Sequence, residues 1–371
     1  MGKAIFLIKR RVTFVKERRD YILRNEKVFV GMEDSKKTWC LCVRSGGVIV
    51  HETSMPAQYE VLRNYFHNKF PECQIQVMYE AGFRGFELHD QLVADGWECV
   101  VTPPHTVTEE KVQRKKNDRT DCRRLAKNLE NGDYRKCFVP DKELREDRQI
   151  SRTYGQVQAD IKRVRNRIRR MLEFHGLDNG LPAGRWSGAA YTRLRQHLAE
   201  IEMSDSLRLS FETMFKELEY LRQLKKGLLL QLRRLARSDR YKRSVELLKS
   251  APGIGMLTAI RLTLEWGEVN RFGRKEEFAS FLGMVPSDYS SGEQERRGHI
   301  TRQGNRSVRG WLVESSWVAI RYDPVLLEKF RRVLRNCGSK KKAIVAVARK
   351  LALRLRWALL SGQPYTVGVV E

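Results

Sequence analysis

What most constrains this sequence is where it keeps four acidic residues in a chain that is otherwise strongly basic. Glu33 follows VFVGM, Glu80 closes QIQVMYE, and Asp118 and Asp121 stand three apart in KKNDRTDCRRLA. Three separate stretches each deliver carboxylate where an α/β fold can bring them together. Gathered carboxylates repel one another unless cations sit among them, and hard divalent ions such as Mg²⁺ or Mn²⁺ take oxygen ligands of this kind. Two such ions can activate an attacking oxygen and stabilise a leaving one in phosphodiester chemistry. The pattern points to an enzyme that works on nucleic acid.

The charge balance points the same way. Lys and Arg total 71 against 45 acids, a net charge of +26 over 371 residues. A charge of that size favours polyanions by neutralising phosphates and releasing their counterions. It is also clustered, because Lys329 to Arg356 holds eleven Lys or Arg and no acid. No stretch approaches the ~20 apolar residues that cross a bilayer, so no membrane partner is expected. Residues 1–26 are basic and lack a clear period; they read as an N-terminal extension, either an arm that orders on nucleic acid or an upstream start of little consequence. The seven cysteines are scattered, without a CxxC pair, which argues against a zinc site and a disulfide framework and for reduced thiols in the cytoplasm.

Residues 27–140 read as an α/β domain. Val28–Glu33, Trp39–Val43 and Val48–Glu52 are short β-rich runs, with Gly46-Gly47 turning the second into the third. Ala57–His67 has helical spacing, Gln74–Glu80 is the next strand, Phe86–Asp95 the next helix, and Cys99–Val101 a fifth strand ended by Pro103-Pro104. Three strands followed by helix–strand–helix–strand is the element order of a ribonuclease-H-like fold. In that order Glu33 and Glu80 fall at the ends of the first and fourth strands, while Asp118 and Asp121, three apart on a helix, face the same way.

From about Leu144 the period becomes helical. Ile161, Val164, Ile168 and Met171 recur at three- and four-residue steps, interleaved with six basic residues that include Arg163 and Arg167. Gly176 to Gly188 interrupts, and a second helix carries Phe211, Met214, Leu218, Leu221, Leu228, Leu232 and Leu235 at heptad-like spacing broken at Lys225. Residues 141–245 therefore read as a helical coiled-coil arm that spaces two domains and dimerises. Six cations in nine residues would repel one another without an anionic partner, which makes Arg163 and Arg167 candidate phosphate ligands.

Residues 246–371 read as a mainly α domain. It opens on Pro252-Gly253-Ile254-Gly255 before a helix, where Gly253 and Gly255 either admit a phosphate to the backbone or form a packing corner; the two readings weigh equally. A polar, Gly-rich loop from Ser290 to Gly304 follows, holding Arg296, Arg297, His299 and Arg302, and leads into a helix with Arg306 and Arg309. A serine attacking phosphate needs cations to hold the developing charge, although composition alone leaves Ser290 and Ser291 as turn residues. In the last helix the Ala343, Val347 and Leu351 stripe reads as core, and Lys340, Lys341 and Lys342 as phosphate ligands.

Taken in order, GMEDSK, YEAG, KNDRTDCRRLA, a helical arm, PGIG, and FASFLGMVPSDYSSG with RRGHITRQGN resemble the DEDD-type insertion-sequence transposases, the IS-one-ten family that includes the Piv-type invertases. The resemblance runs from about residue 28 to 365. It implies a RuvC-like N-terminal domain in which Glu33, Glu80, Asp118 and Asp121 hold Mg²⁺, and a C-terminal transposase domain in which Ser291 becomes covalently bonded to DNA. It further implies a bacterial or archaeal, nucleoid-associated protein whose partners are donor and target DNA and a structured bridge RNA acting as guide. The implied assembly is a homo-oligomer, dimeric and then tetrameric on DNA, in which one subunit's carboxylates meet another's serine. One position departs from the pattern, since the first carboxylate is usually Asp in a G-I-D context and here is Glu33 in G-M-E-D. Asp34 beside it and Ser290 beside Ser291 stay open as alternatives.

Three functions are thus in play. The first is a DNA recombinase using metal-assisted serine chemistry. The second is a RuvC-like nuclease or junction resolvase that hydrolyses, and the third a non-catalytic nucleic-acid binder. No Walker-type loop is present, in keeping with chemistry that retains its energy in a phosphoserine link.

Overall fold

The computed structural model of the chain describes residues 23–104, 118–178, 188–288, 297–301 and 303–369. The chain divides into two compact units, Met1–Val139 and Pro140–Glu371.

The first unit is built on five strands, β1 (Lys27–Asp34), β2 (Thr38–Ser45), β3 (Val48–Pro56), β4 (Gln74–Glu80) and β5 (Glu98–Thr102). Its helices are α1 (Tyr59–Lys69), α2 (Glu87–Ala94) and α3 (Asp118–Asn131). The sheet order is β3-β2-β1-β4-β5; β1, β2 and β3 pair antiparallel, whereas β1, β4 and β5 run parallel. Strand alternation sorts the side chains into two layers. Val28, Val30 and Met32 of β1 join Ile75, Val77 and Tyr79 of β4 in a core with Leu62 and Phe66 of α1 and Leu88 and Leu92 of α2. The other face carries Met78 and Val100 against Leu125 and Leu129 of α3, and Cys42 against Cys122 and Ala126. Of the N-terminal extension, residues 23–26 are described, and Leu23 and Glu26 hydrogen-bond the backbone at Lys69 and Gln74.

Helices dominate the second unit. The long α4 (Lys142–Phe174) packs along α6 (Asp205–Arg237). The expected interruption at residues 176–188 is followed by a helix that the sequence did not announce, α5 (Gly188–Glu200), whose Tyr191, Leu194 and Leu198 share a core with Ile161, Val164 and Ile168 of α4 and Phe211, Phe215 and Leu218 of α6. Its apolar positions are spaced three and four apart, but polar neighbours and a short length hide it without its partners. Then come α7 (Asp239–Lys249), α8 (Met256–Trp266), a 3₁₀ turn at Val269–Arg271, α9 (Lys275–Phe281), a two-stranded hairpin of β6 (Pro286–Asp288) and β7 (Arg297–Ile300), α10 (Arg306–Ala319), α11 (Pro324–Cys337) and α12 (Lys340–Ser361). Residues 297–300, expected as loop, are therefore strand. Ala343, Val347 and Leu351 are fully buried in the core of this unit, as their spacing predicts.

One buried ion pair ties the end of the chain to its core. Arg354 Nη1 donates to Asp323 Oδ2 at 2.6 Å, and Tyr365 joins them. Burial works against the Asp323 carboxylate, but Tyr365 and Arg354 outweigh it and hold the group below the usual carboxylate range. Asp323 also caps α11 by accepting from the Val325 and Leu326 amides.

Candidate active site

Three elements of the first unit carry the four acids to one end of the sheet. Met32 of β1 registers with Tyr79 of β4, and one more step along this parallel pair sets Glu33 beside Glu80, a strand spacing of about 4.8 Å away. Both side chains lie on the face covered by α3. That helix runs antiparallel to β1, with Cys122 and Ala126 over Gly31 and Leu125 and Leu129 against Phe29. Its first turn, bearing exposed Asp118 and half-buried Asp121, therefore projects past the strand ends where Glu33 and Glu80 sit.

Gly31 sets the height of α3 above the sheet. A Cβ there would stand 2.1 Å from the Cys122 carbonyl oxygen and 2.4 Å from the Ala126 nitrogen, both backbone atoms. The helix thus rests directly on the β1 backbone. A glycine inside a strand is the sequence sign of such an approach. Beside it, Cys122 Sγ donates to the Cys40 carbonyl at 3.0 Å, and burial pushes the thiol well above its ordinary range. Flanking pairs fix the rest of the helix: Arg123 grips both oxygens of Glu52 on β3 at 2.6 Å, and Arg44 meets Glu130 at 2.7 Å.

Asp34 faces the other way. Its Oδ1 accepts from Trp39 Nε1 at 2.9 Å and lies 3.5 Å from Arg84 Nε. Burial raises its pKa, partly offset by Arg84 and Trp39. Arg84 further stacks on Trp39 at 5.4 Å and donates to the Ser35 carbonyl, so it pins the end of β1.

Arg124 is the cation already present among the acids, and sequence reasoning passed over it. One of its nitrogens, Nη2, lies 3.1 Å from Asp121 Oδ1 and 3.5 Å from Glu80 Oε1. Those two oxygens, from different elements, are therefore no further apart than the two distances laid end to end. Its Nε is buried without a hydrogen-bond partner. Among the described residues no three His, Cys, Asp or Glu are drawn close enough to cage a metal ion. The donor set nevertheless fits one: it is all carboxylate oxygen, it comes from rigid strand ends and a helix turn, and a guanidinium stands where positive charge is needed. Exchange of Arg124 for a metal gives a test. Arg124→Gln is expected to melt roughly 3 °C lower without divalent ions, for a loss of about 1 kcal/mol, and to gain more than the parent from millimolar Mn²⁺. Equal gains in a thermal melt would contradict this.

In the second unit Ser290, Ser291, Arg296 and Arg302 lie outside the described residues, as does the Arg297 side chain. The hairpin does fix the ends of that segment, because Asp288 pairs with Arg297 and Pro286 with Ile300. His299 is exposed, and its carbonyl accepts from Ser287 Oγ at 3.0 Å. Gly304 anchors the far side, since a Cβ there would meet the Phe281 carbonyl oxygen at 2.5 Å. Arg306 is exposed, whereas Arg309 donates to the Gly304 and Leu282 carbonyls at 2.9 and 3.2 Å and so braces this loop. Gly253, at φ +84°, packs against the backbone of α10, with the Ser315 carbonyl oxygen 2.4 Å from any Cβ; packing accounts for that glycine. Gly255 caps α8 with open space around it. Lys340, Lys341 and Lys342 are exposed in the first turn of α12, where the helix dipole disfavours cations and an anion would be welcome. On α4, Arg163 pairs with Asp160 and Arg167 with Glu217 of α6 at 2.6 Å, so Arg167 holds the two helices together.

Comparison with known proteins places the chain in a family. A DEDD transposase model matches residues 30–176, from just before Glu33 through α4. A second, described as the Transposase IS116/IS110/IS902 family, matches residues 245–331, the segment around Ser291. Together they cover more than half of the chain. The chain belongs to the IS110 family of DEDD transposases. This transposase is 27% identical to putative transposase y4qE of Sinorhizobium fredii, over 78% of this chain and 70% of that protein. It is 26% identical to putative transposase y4rJ of the same organism, over 92% and 94%. To the transposase for insertion sequence element IS1111A of Coxiella burnetii it is also 26% identical, over 71% of each. It is accordingly a DNA-processing enzyme, and no helix among its described residues is long and apolar enough to cross a membrane.

Proposed function

We propose that this transposase cuts and rejoins DNA by phosphoryl transfer at a RuvC-like carboxylate site, with Ser291 as the nucleophile. The observation that carries the reading is the parallel register of β1 with β4, whose next step after Met32 and Tyr79 is Glu33 and Glu80, together with the first turn of α3 bearing Asp118 and Asp121. Those four residues would hold Mg²⁺. When bound, a divalent ion would polarise the scissile phosphate and offset the charge that develops on it. The chain does the rest. Gly31 and the Arg123–Glu52 pair hold α3 at the height that keeps its carboxylates by the strand ends. Arg296, Arg297, His299 and Arg302 would face the non-bridging oxygens of the phosphate under attack. As the Ser291 oxygen bonds to phosphorus, one sugar oxygen departs; the hydroxyl loses its proton and the departing oxygen gains one. The covalent link keeps the phosphodiester energy for rejoining. Site choice would come from base pairing with a structured RNA, the protein reading shape and phosphates, in a tetramer whose subunits meet through the α4–α6 arm.

A trapping reaction tests this. With labelled element-end DNA, Mg²⁺ and the element's own RNA, the wild-type protein should give a protein–DNA adduct on a denaturing gel. Ser291→Ala should abolish it and Ser290→Ala should retain it. The reverse pattern moves the nucleophile to Ser290, and free ends without adduct from the wild type mean hydrolysis. Adduct at the same sites without RNA removes the guide.

A further inference from the structure

The apolar repeat of α6 breaks at Lys225, and beside that break a cavity of about 600 Å³ opens between α4 and α6. Lys162, Arg165 and Arg169 line it from α4, and Arg222, Lys225 and Lys226 from α6; its floor is Ile161 and Leu229, and no acid is among the lining residues. Arg163 and Arg167, which do not line the cavity, have carboxylate partners. Aromatic faces hold two of the lining charges in place, Arg222 lying 4.1 Å over Tyr191 and Lys225 5.6 Å over Tyr154. Arg165 Nε is buried with no hydrogen-bond partner. Burial and Arg222 lower the Arg165 pKa, and burial and Arg165 lower that of Lys225. Like charges kept half-buried at this spacing repel unless an anion lies between them.

We propose that this groove binds the phosphodiester backbone of duplex DNA. Gln158 to Arg169 covers roughly 16 Å of helix, enough to follow several phosphates of one strand at about 3.4 Å of rise each. No aromatic ring is among the lining residues, and Tyr154 and Tyr191 are covered by their cations, so unpaired bases find no stacking platform. A backbone whose bases are already paired is the polyanion that suits such a wall. This contact rests on the chain's action on DNA, not on which serine or carboxylate does the chemistry.

Fluorescence anisotropy with a labelled, random-sequence DNA duplex and the full-length protein tests it across a salt titration. Arg165→Gln/Lys225→Gln should bind the duplex about tenfold or more weakly at physiological salt, with the salt dependence reduced by about two phosphate contacts. Its melting temperature should not fall, because like charges have been removed. Should that variant fail to fold, Lys162→Gln/Lys226→Gln, at exposed positions, carries the same expectation. Unchanged duplex affinity and salt dependence would overturn the proposal. So would a loss confined to RNA, single-stranded or folded, or altered self-association at constant DNA affinity. The Ser291 adduct is read separately, on the denaturing gel with Ser291→Ala, so the two readings fail separately.

Discussion

Glu80→Gln is expected to lower strand cleavage about 10³-fold, some 4 kcal/mol of transition-state stabilisation, while the chain stays folded and bound to DNA. Glutamine keeps the size of the side chain at the end of β4 and removes its charge. The structural cost is small, because the Arg124–Glu80 contact is a 3.5 Å pair about a quarter exposed on each side and such pairs contribute about 1 kcal/mol or less. The chemical cost is large, because Glu80 is the acid that stands next to Glu33 and shares a cation with Asp121. Cleavage of a nicked or supercoiled substrate measures the first effect and a thermal melt the second. Loss of both in parallel would make Glu80 a structural residue instead.

Gly31→Ala should disable the enzyme from a position that carries no functional group. The added carbon would stand 2.1 Å from the Cys122 carbonyl oxygen, so α3 must lift by roughly 1 Å to restore contact distance. No side-chain rotation relieves the clash, since the atoms met are backbone. Overpacking of this kind costs about 1–3 kcal/mol. The lift also carries Asp118 and Asp121 away from the strand ends, and a misplacement of about 1 Å at a reacting centre costs on the order of 10²-fold in rate. The expected result is a melting temperature lowered by several degrees together with a cleavage loss far beyond what the unfolded fraction explains. Wild-type turnover by Gly31→Ala would mean that the height of α3 does not matter.

The sheet of the first unit is legible in the sequence because its information is local. Val28 to Asp34 and Gln74 to Glu80 are β-rich runs whose successive side chains alternate in face, Gly46-Gly47 supplies the positive φ angles of a tight hairpin, and Gly96 ends α2. The same alternation separates Glu33 from Asp34, and the structure gives Asp34 to Trp39 and Arg84 on the opposite face. What escapes the sequence depends on partners distant along the chain. Gly31 is one glycine among 26 until Cys122 and Ala126 are known to lie over it. Arg124 is one of three arginines within three residues of Asp121, and only the fold turns it toward Glu80. The α5 helix needs α4 and α6 to bury Tyr191 and Leu194. Arg167 reads as a phosphate ligand in the sequence, and only the fold sets Glu217 across the seam from it. Lys225, an irregularity in a heptad, becomes part of a charged groove once Arg165 is opposite.

The central claim is that carboxylates from β1, β4 and α3 form one divalent-metal site. Mn²⁺ binding to the DNA-bound protein, followed by electron paramagnetic resonance, tests it without reference to turnover. The wild type should bind Mn²⁺ saturably, and Glu80→Gln and Asp121→Asn should each weaken that binding at least tenfold with DNA affinity retained. Equal Mn²⁺ affinity in all three proteins, or no specific Mn²⁺ signal in the wild type, would contradict the account.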